Sequence, residues 1–450
     1  MAGSTHAQAF AEAILSSGRT HVFALLGEDN AALLFALRER GVEVVPAHHE
    51  SAAVAMAEGY AWATGRPGIC SVPHGLGLSE VVSSLRLASR NRSAVVLIAA
   101  AVEHEVSAYR RMWPGEDPAA VLADALSLAA DRLRPVVVGV GPDLLAAPVR
   151  VGAVKLPAPR PRIGLPVGDD AAVARRLTAV LARAKRPVLL AGRGLQATDS
   201  AYLVRVLAER TGAALATTLG AKGLFDGHAQ DLGLAGDLAH PAAERVLRAA
   251  DLVLAFGTAR SATGDGDAAE ILALLGDAAT RRPPWFTPVG SAAECWREDL
   301  RDHAPPIPAG TVDPRRALAT IDELIPADAV VVVGGGRCEA FACALIARPR
   351  EGRFIAAESR ALPLAIGAAL ASPGRKVVVF DGDLTPAGEL TGLDLTLFLL
   401  NPGGAGVGSA DDVAGVARAA LRTGPAIVEI RTAPEVVPRH RRGPAAREDR

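Results

Sequence analysis

The stretch Ala47-His48-His49-Glu50-Ser51-Ala52-Ala53-Val54-Ala55-Met56-Ala57-Glu58-Gly59-Tyr60-Ala61 decides how this chain is read. A short apolar run with Val42, Val44 and Val45 precedes it. The valines predict a strand, the polar His-His-Glu segment a turn, and the alanine-rich sequence beyond it a helix. A carboxylate therefore stands at the carboxyl end of a strand, the edge at which open α/β sheets receive ligands. From the residues alone Glu50 has two readings: an active-site carboxylate, or a helix N-terminal carboxylate stabilised by the helix dipole.

Outward from this stretch the same alternation repeats. Apolar segments at His21–Leu25, Val42–Pro46, Gly68–Val72, Ala94–Ala99 and Pro135–Val140 are separated by alanine-rich segments. Such alternation predicts a parallel sheet covered by helices on both faces. The proline-rich run from Lys155 to Pro166 favours extended conformations and marks a boundary. A second block holds apolar runs ending in Gly192-Arg193-Gly194 and Gly257-Thr258, with Thr217-Thr218-Leu219-Gly220-Ala221-Lys222-Gly223 between them. A third block holds Ala329–Val333 ending in Gly334-Gly335-Gly336, Lys376–Phe380 ending in Asp381-Gly382-Asp383, Leu395–Leu400 ending in Asn401, and Ala426–Ile430. Between the first two of these lies the segment Leu362–Ala371, whose small residues permit close helix packing. The expected fold class is α/β, with three Rossmann-like doubly wound parallel-sheet domains. Their expected extents are 1–150, 165–305 and 309–436, followed by a charged, disordered tail at 437–450.

Composition narrows the function. Hydrophobic residues make up 50% of the 450, enough for several cores, yet aromatics are only 4%, so Ala, Val and Leu must build them. The formal net charge of −1 offers no electrostatic reason for nucleic acid or anionic lipid as a partner. The longest uncharged apolar run near the start, Ala94–Val102, is too short to span a bilayer, and the first residues do not read as a secretory signal. Cys70, Cys295, Cys338 and Cys343 lack zinc spacing and read as free thiols in a reducing cytoplasm.

The Glu50 stretch, with its Gly59-Tyr60-Ala61 ending, resembles the start of the pyrimidine-binding domain of thiamine-diphosphate (ThDP) enzymes of the acetolactate synthase and pyruvate decarboxylase kind. The resemblance covers nearly the whole chain, in the order pyrimidine-binding, central, diphosphate-binding. It implies that Glu50 hydrogen-bonds the cofactor's aminopyrimidine ring and helps it to form its reactive ylide. Phe23–Asn30, with Gly27, is similar to the family's early strand and loop, with Leu26 where a proline is usual. Pro73-His74-Gly75-Leu76-Gly77 is similar to the turn beside the thiazolium; Gly75 and Gly77 allow close backbone approach, and His74 is the candidate acid–base. His48 and His49 read either as proton carriers or as hydrogen-bonded turn residues.

In the third block the resemblance assigns Gly382, Asp383 and Leu384 to the diphosphate motif, with Asp383 and Asn401 holding magnesium. Gly336 and Arg337 would face a phosphate, or the triple glycine is simply a tight turn. This sequence departs from the family in four ways. Leu384 replaces a glycine, Pro402 replaces an asparagine, and Glu358 stands where an apolar residue props the bent cofactor. The span from Asp383 to Asn401 is also short by about two helical turns. The loop Gly257–Gly264 matches the FAD-holding segment of acetolactate synthases in frame only, so flavin is the disfavoured reading. The implied activity is ThDP-dependent decarboxylation or carboligation of a 2-oxo acid such as pyruvate, in a homo-oligomer (dimer or tetramer) with the site at the subunit interface. The alternative is a degenerate family member that has lost ThDP and serves as a non-catalytic partner or does cofactor-independent chemistry.

Overall fold

The computed structural model describes residues 4–73, 78–100, 107–149, 170–196, 200–258, 266–275, 281–288, 292–302, 306–335, 337–347, 353–358, 360–382, 390–402 and 406–436. The described residues form three sheets, in which every strand pair is parallel. By contacts the chain divides into two compact units. The first comprises Met1–Ile163 with Leu362–Pro373 and Pro386–Thr391; the second comprises the remainder.

The sheet of the first unit runs β2-β1-β3-β4-β6-β5. Its strands are β1 (His21–Ala24), β2 (Glu43–Pro46), β3 (Gly68–Ser71), β4 (Val95–Ala99), β5 (Ala108–Arg111) and β6 (Val136–Gly139). Five match the expected apolar runs to within a residue or two. The edge strand β5 was not foreseen, because Ala108-Tyr109-Arg110-Arg111 is polar and only half-buried. β3, β4 and β6 are buried at every position, as a sheet covered on both faces requires. β1 lies between β2 and β3, so the winding direction reverses there and leaves a crevice at the carboxyl edge.

The helix Glu50–Thr64 is buried on all sides from Ala52 to Ala61, which only small and apolar residues permit. Glu58 is the exception. Its carboxylate is fully buried and accepts from Asn91 Nδ2 and Ser93 Oγ, each at 2.9 Å. Within this unit the helix crosses the helix Ala361–Ala371 at two glycines. A Cβ on Gly59 would lie 1.9 Å from Leu364 O, and one on Gly367 would lie 1.8 Å from Met56 O.

The second unit holds the other two sheets. One runs β10-β7-β8-β9, from β7 (Pro187–Ala191), β8 (Ala214–Thr217), β9 (Asp231–Leu234) and β10 (Leu252–Phe256). The other runs β12-β11-β13-β14-β15, from β11 (Val330–Gly334), β12 (Phe354–Glu358), β13 (Val377–Asp381), β14 (Leu395–Pro402) and β15 (Ala426–Thr432). β8, β9 and β12 were not read from the sequence, since short strands without alternation carry little periodic signal. Lys222 joins the two sheets. Its Nζ donates to Ile346 O and lies 4.4 Å from the Phe354 ring centre, and burial pushes its pKa down. Ala317 and Leu318 of the helix Pro314–Asp322 belong to the core that also takes Leu234, and Ala319, Trp296 and Leu219 pack against it.

Two stability predictions arise here. Gly415 sits exposed inside the helix Ala410–Arg422, and a Cβ there would meet nothing within 4 Å. Gly415→Ala is expected to raise stability by about 0.5–1 kcal/mol in a denaturant titration, because it removes only unfolded-state freedom. Asp231 is buried, and its carboxylate accepts from Gly233 N at 2.9 Å. Burial pushes its pKa up to about 7, and nearby Asp226 adds to the rise; the Gly233 bond, Arg205 and Lys222 oppose it. A carboxyl that binds its proton more tightly when folded loses stability as pH climbs from about 4 to 7. Asp231→Asn keeps the acceptor without the charge. Its melting temperature should match wild type near pH 3 and exceed it at pH 8, by the equivalent of up to about 4 kcal/mol.

Candidate functional site

The carboxyl edge of the first sheet is built around Asn30. This residue stands at the N-cap of the helix Ala31–Glu39, yet its side chain makes no capping bond. Instead Oδ1 accepts from Gly27 N at 2.9 Å, while Nδ2 donates to Leu25 O at 3.0 Å and Ser71 Oγ at 3.2 Å. Ser71 Oγ in turn donates to Ile98 O at 2.8 Å. A buried chain of hydrogen bonds therefore ties the ends of β1, β3 and β4 together across the reversal point. A Cβ on Gly27 would lie 2.4 Å from Pro73 Cβ, so the glycine lets the first loop seat against the third. Leu26, where the family usually has proline, is 63% exposed on this edge.

Glu50 opens its helix beyond β2. Its side chain is 17% exposed, and among the described residues it makes no hydrogen bond; its ion-pair contact is His49 Nε2 at 3.8 Å. Glu50 is thus a helix N-terminal carboxylate largely shielded from solvent, a placement that both sequence readings share. His49 caps the helix through its ring, and His48 is exposed. His74, Gly75 and Gly77 lie outside the described residues.

The third sheet reverses between β11 and β13. Gly334 closes β11 there, and a Cβ on it would lie 2.4 Å from the Asp381 carboxylate. Asp381 is buried, and its Oδ1 accepts from Gly382 N at 2.8 Å. Among the described residues a Cβ on Gly382 would meet nothing within 4 Å. Asn401, half-buried, lies on the neighbouring strand β14. Glu358 ends β12 opposite Gly334, and Arg337 begins the helix Arg337–Leu345. Gly336, Asp383 and Leu384 lie outside the described residues. No group of three or more metal-ligating side chains occurs among the described residues. Asn30, Ser71 and Asp381 were missed as contributors by the sequence reading. Asn30 looks like an ordinary helix cap, and the partners of all three are fixed only by folding.

Successive parallel sheets, each reversing direction beneath a polar carboxyl edge, define a doubly wound α/β protein with ligand-receiving edges. Residues 4–117 match the model of the thiamine pyrophosphate enzyme N-terminal TPP-binding domain, and residues 174–272 match that of the family's central domain. Both matches are to domain models of the thiamine pyrophosphate enzymes. It is 28% identical over 401 residues to an acetolactate synthase of Mycobacterium bovis, an alignment spanning 74% of this chain and 64% of that protein. It is 32% identical over 279 residues to a "Probable 2-ketoarginine decarboxylase" of Pseudomonas aeruginosa, spanning 56% of this chain and 48% of the relative. The chain thus spans just under two thirds of the length of the acetolactate synthase. Among solved structures, the ThDP-dependent 4-hydroxybenzoylformate decarboxylase of Rhodococcus jostii RHA1 superposes with a TM-score of 0.73. That superposition covers 96% of this chain and 99% of that one at 19% identity, a likeness of fold. Among the described residues no helix is long and apolar enough to cross a membrane.

Proposed function

We propose that the protein is a ThDP-dependent enzyme that decarboxylates a 2-oxo acid such as pyruvate, or joins the resulting fragment to a second carbonyl, in the manner of acetolactate synthases. The observation that carries this reading is Glu50, nearly buried, without a hydrogen-bond donor among the described residues, and placed at the carboxyl edge of a matched TPP-binding domain. A carboxyl there suits the ring nitrogen of an aminopyrimidine. The glycine turn at Gly382, uncrowded among the described residues, and the neighbouring strand end at Asn401 suit a diphosphate and its cation.

When bound, ThDP supplies the carbon nucleophile and the electron sink that decarboxylation needs. The chain's own residues then have separate tasks. Glu50 holds the aminopyrimidine and shares a proton with its ring nitrogen. Gly27, Gly75 and Gly77 bring backbone close to the cofactor, and the Asn30–Ser71 bonds keep the first of these loops rigid. Asp383 and Asn401 would hold magnesium, whose preference for hard oxygen ligands suits them. Gly336, Arg337, Gly382 and Leu384 would serve the phosphates, and His74 would be the acid–base group. The working form in this reading is a cytoplasmic homo-oligomer with the site at a subunit interface. Isothermal titration of the purified protein with ThDP and magnesium tests the proposal. Saturable binding is expected, and no heat at millimolar ligand would return the chain to the alternative of a member that has lost its cofactor.

A further inference from the structure

His49 is an unusual residue to begin a helix, where Ser, Thr, Asp and Asn prevail. Its backbone is extended, with φ −156° and ψ 151°, and its ring does what those side chains do. Ser51 N donates to His49 Nδ1 at 3.2 Å. A backbone N–H can only donate, so Nδ1 carries no proton. The Ser51 hydroxyl, 2.7 Å from the same nitrogen, must then donate to it as well. A neutral imidazole with a bare Nδ1 holds its proton on Nε2. That Nε2 lies 3.8 Å from Glu50 Oε2. His48, one residue earlier, makes no hydrogen bond among the described residues. The ring of His49 is thus held at one end by the helix start and turned with its N–H toward Glu50 at the other.

We propose that His49 is a positioning residue for Glu50: its Nδ1 caps the helix while its Nε2–H draws one carboxylate oxygen, leaving the other for the aminopyrimidine ring. The role of that second oxygen rests on the functional reading above; the His49–Glu50 pairing does not. The 3.8 Å separation is beyond a direct hydrogen bond, and a small turn of the Glu50 side chain closes it.

Two variants separate capping from positioning. His49→Ser keeps an N-cap oxygen but removes the N–H, whereas His49→Asn keeps the cap and supplies a side-chain N–H. In ligand-free wild type, nitrogen NMR of the imidazole should show Nδ1 as a bare acceptor and Nε2 protonated. Melting temperatures of both variants should stay within about 2 °C of wild type, as exchange among good caps implies. The Glu50 carboxyl carbon signal should move in His49→Ser and return toward wild type in His49→Asn. The Kd for ThDP with magnesium should rise about tenfold in His49→Ser, and His49→Asn should recover most of that loss. A proton on Nδ1, a Glu50 signal indifferent to residue 49, or an unchanged Kd in His49→Ser would overturn the proposal. Wild-type protein that binds no ThDP while the Glu50 signal still follows residue 49 would remove the cofactor reading and leave the pairing standing.

Discussion

Replacing Gly367 by valine is expected to destabilise the first unit by about 3 kcal/mol or more, among the largest effects of any single substitution in this chain. Even the Cβ of an alanine would be driven to 1.8 Å from Met56 O, and Gly59 faces Leu364 O as tightly. The obstacle in both cases is backbone, which cannot swing aside as a side chain can, so the two helices must part. Parting them opens a void among Ala52–Ala61, where every residue is buried, and the lost packing adds to the clash. The contrast with Gly415→Ala isolates the cause: one helical glycine in contact with a neighbour, another in open solvent, and opposite signs for adding a carbon. A denaturant midpoint for Gly367→Val within error of wild type would show that the helices do not cross here. Because Glu50 begins one of the two helices, ThDP affinity should fall together with stability.

Glu50→Gln carries the largest expected effect on activity. The amide keeps the shape and the place at the helix start, and only the favourable term between charge and helix dipole is lost, about 0.3–1 kcal/mol. Folding should therefore survive. What disappears is a group able to share a proton with the aminopyrimidine, and loss of such proton transfer typically costs about 10²-fold or more in rate. Steady-state decarboxylation of a 2-oxo acid, measured beside ThDP binding, should show turnover reduced by that factor with the cofactor still bound. A variant within threefold of wild type would exclude Glu50 from the chemistry.

Much of this was open to a reader of the sequence. Runs such as Val95–Ala99 and Val377–Asp381 are so uniformly apolar that only a strand buried on both faces suits them, and each was found within a residue or two of its expected place. β5 and β12 were missed for complementary reasons: β5 is polar because it is an edge strand, and β12 is a short run without alternation. The position of Glu50 at a strand's end followed from local pattern alone. Its surroundings did not. Asn30 is an ordinary helix-start residue in sequence, and nothing local says that it would turn from its own helix to Ser71, 41 residues away. The small residues of Leu362–Ala371 announced a close approach without naming the partner.

The sequence by itself therefore determined the alternation of strand and helix, the parallel class of the sheets, and the strand ends at which polar residues gather, because each depends on hydrophobic period and local propensity. Only the tertiary structure decided which glycines face each other, which cap turns its ring toward Glu50, and which side chains lock the first reversal point. Those choices depend on contacts between segments far apart in the chain, and only their three-dimensional packing settles them.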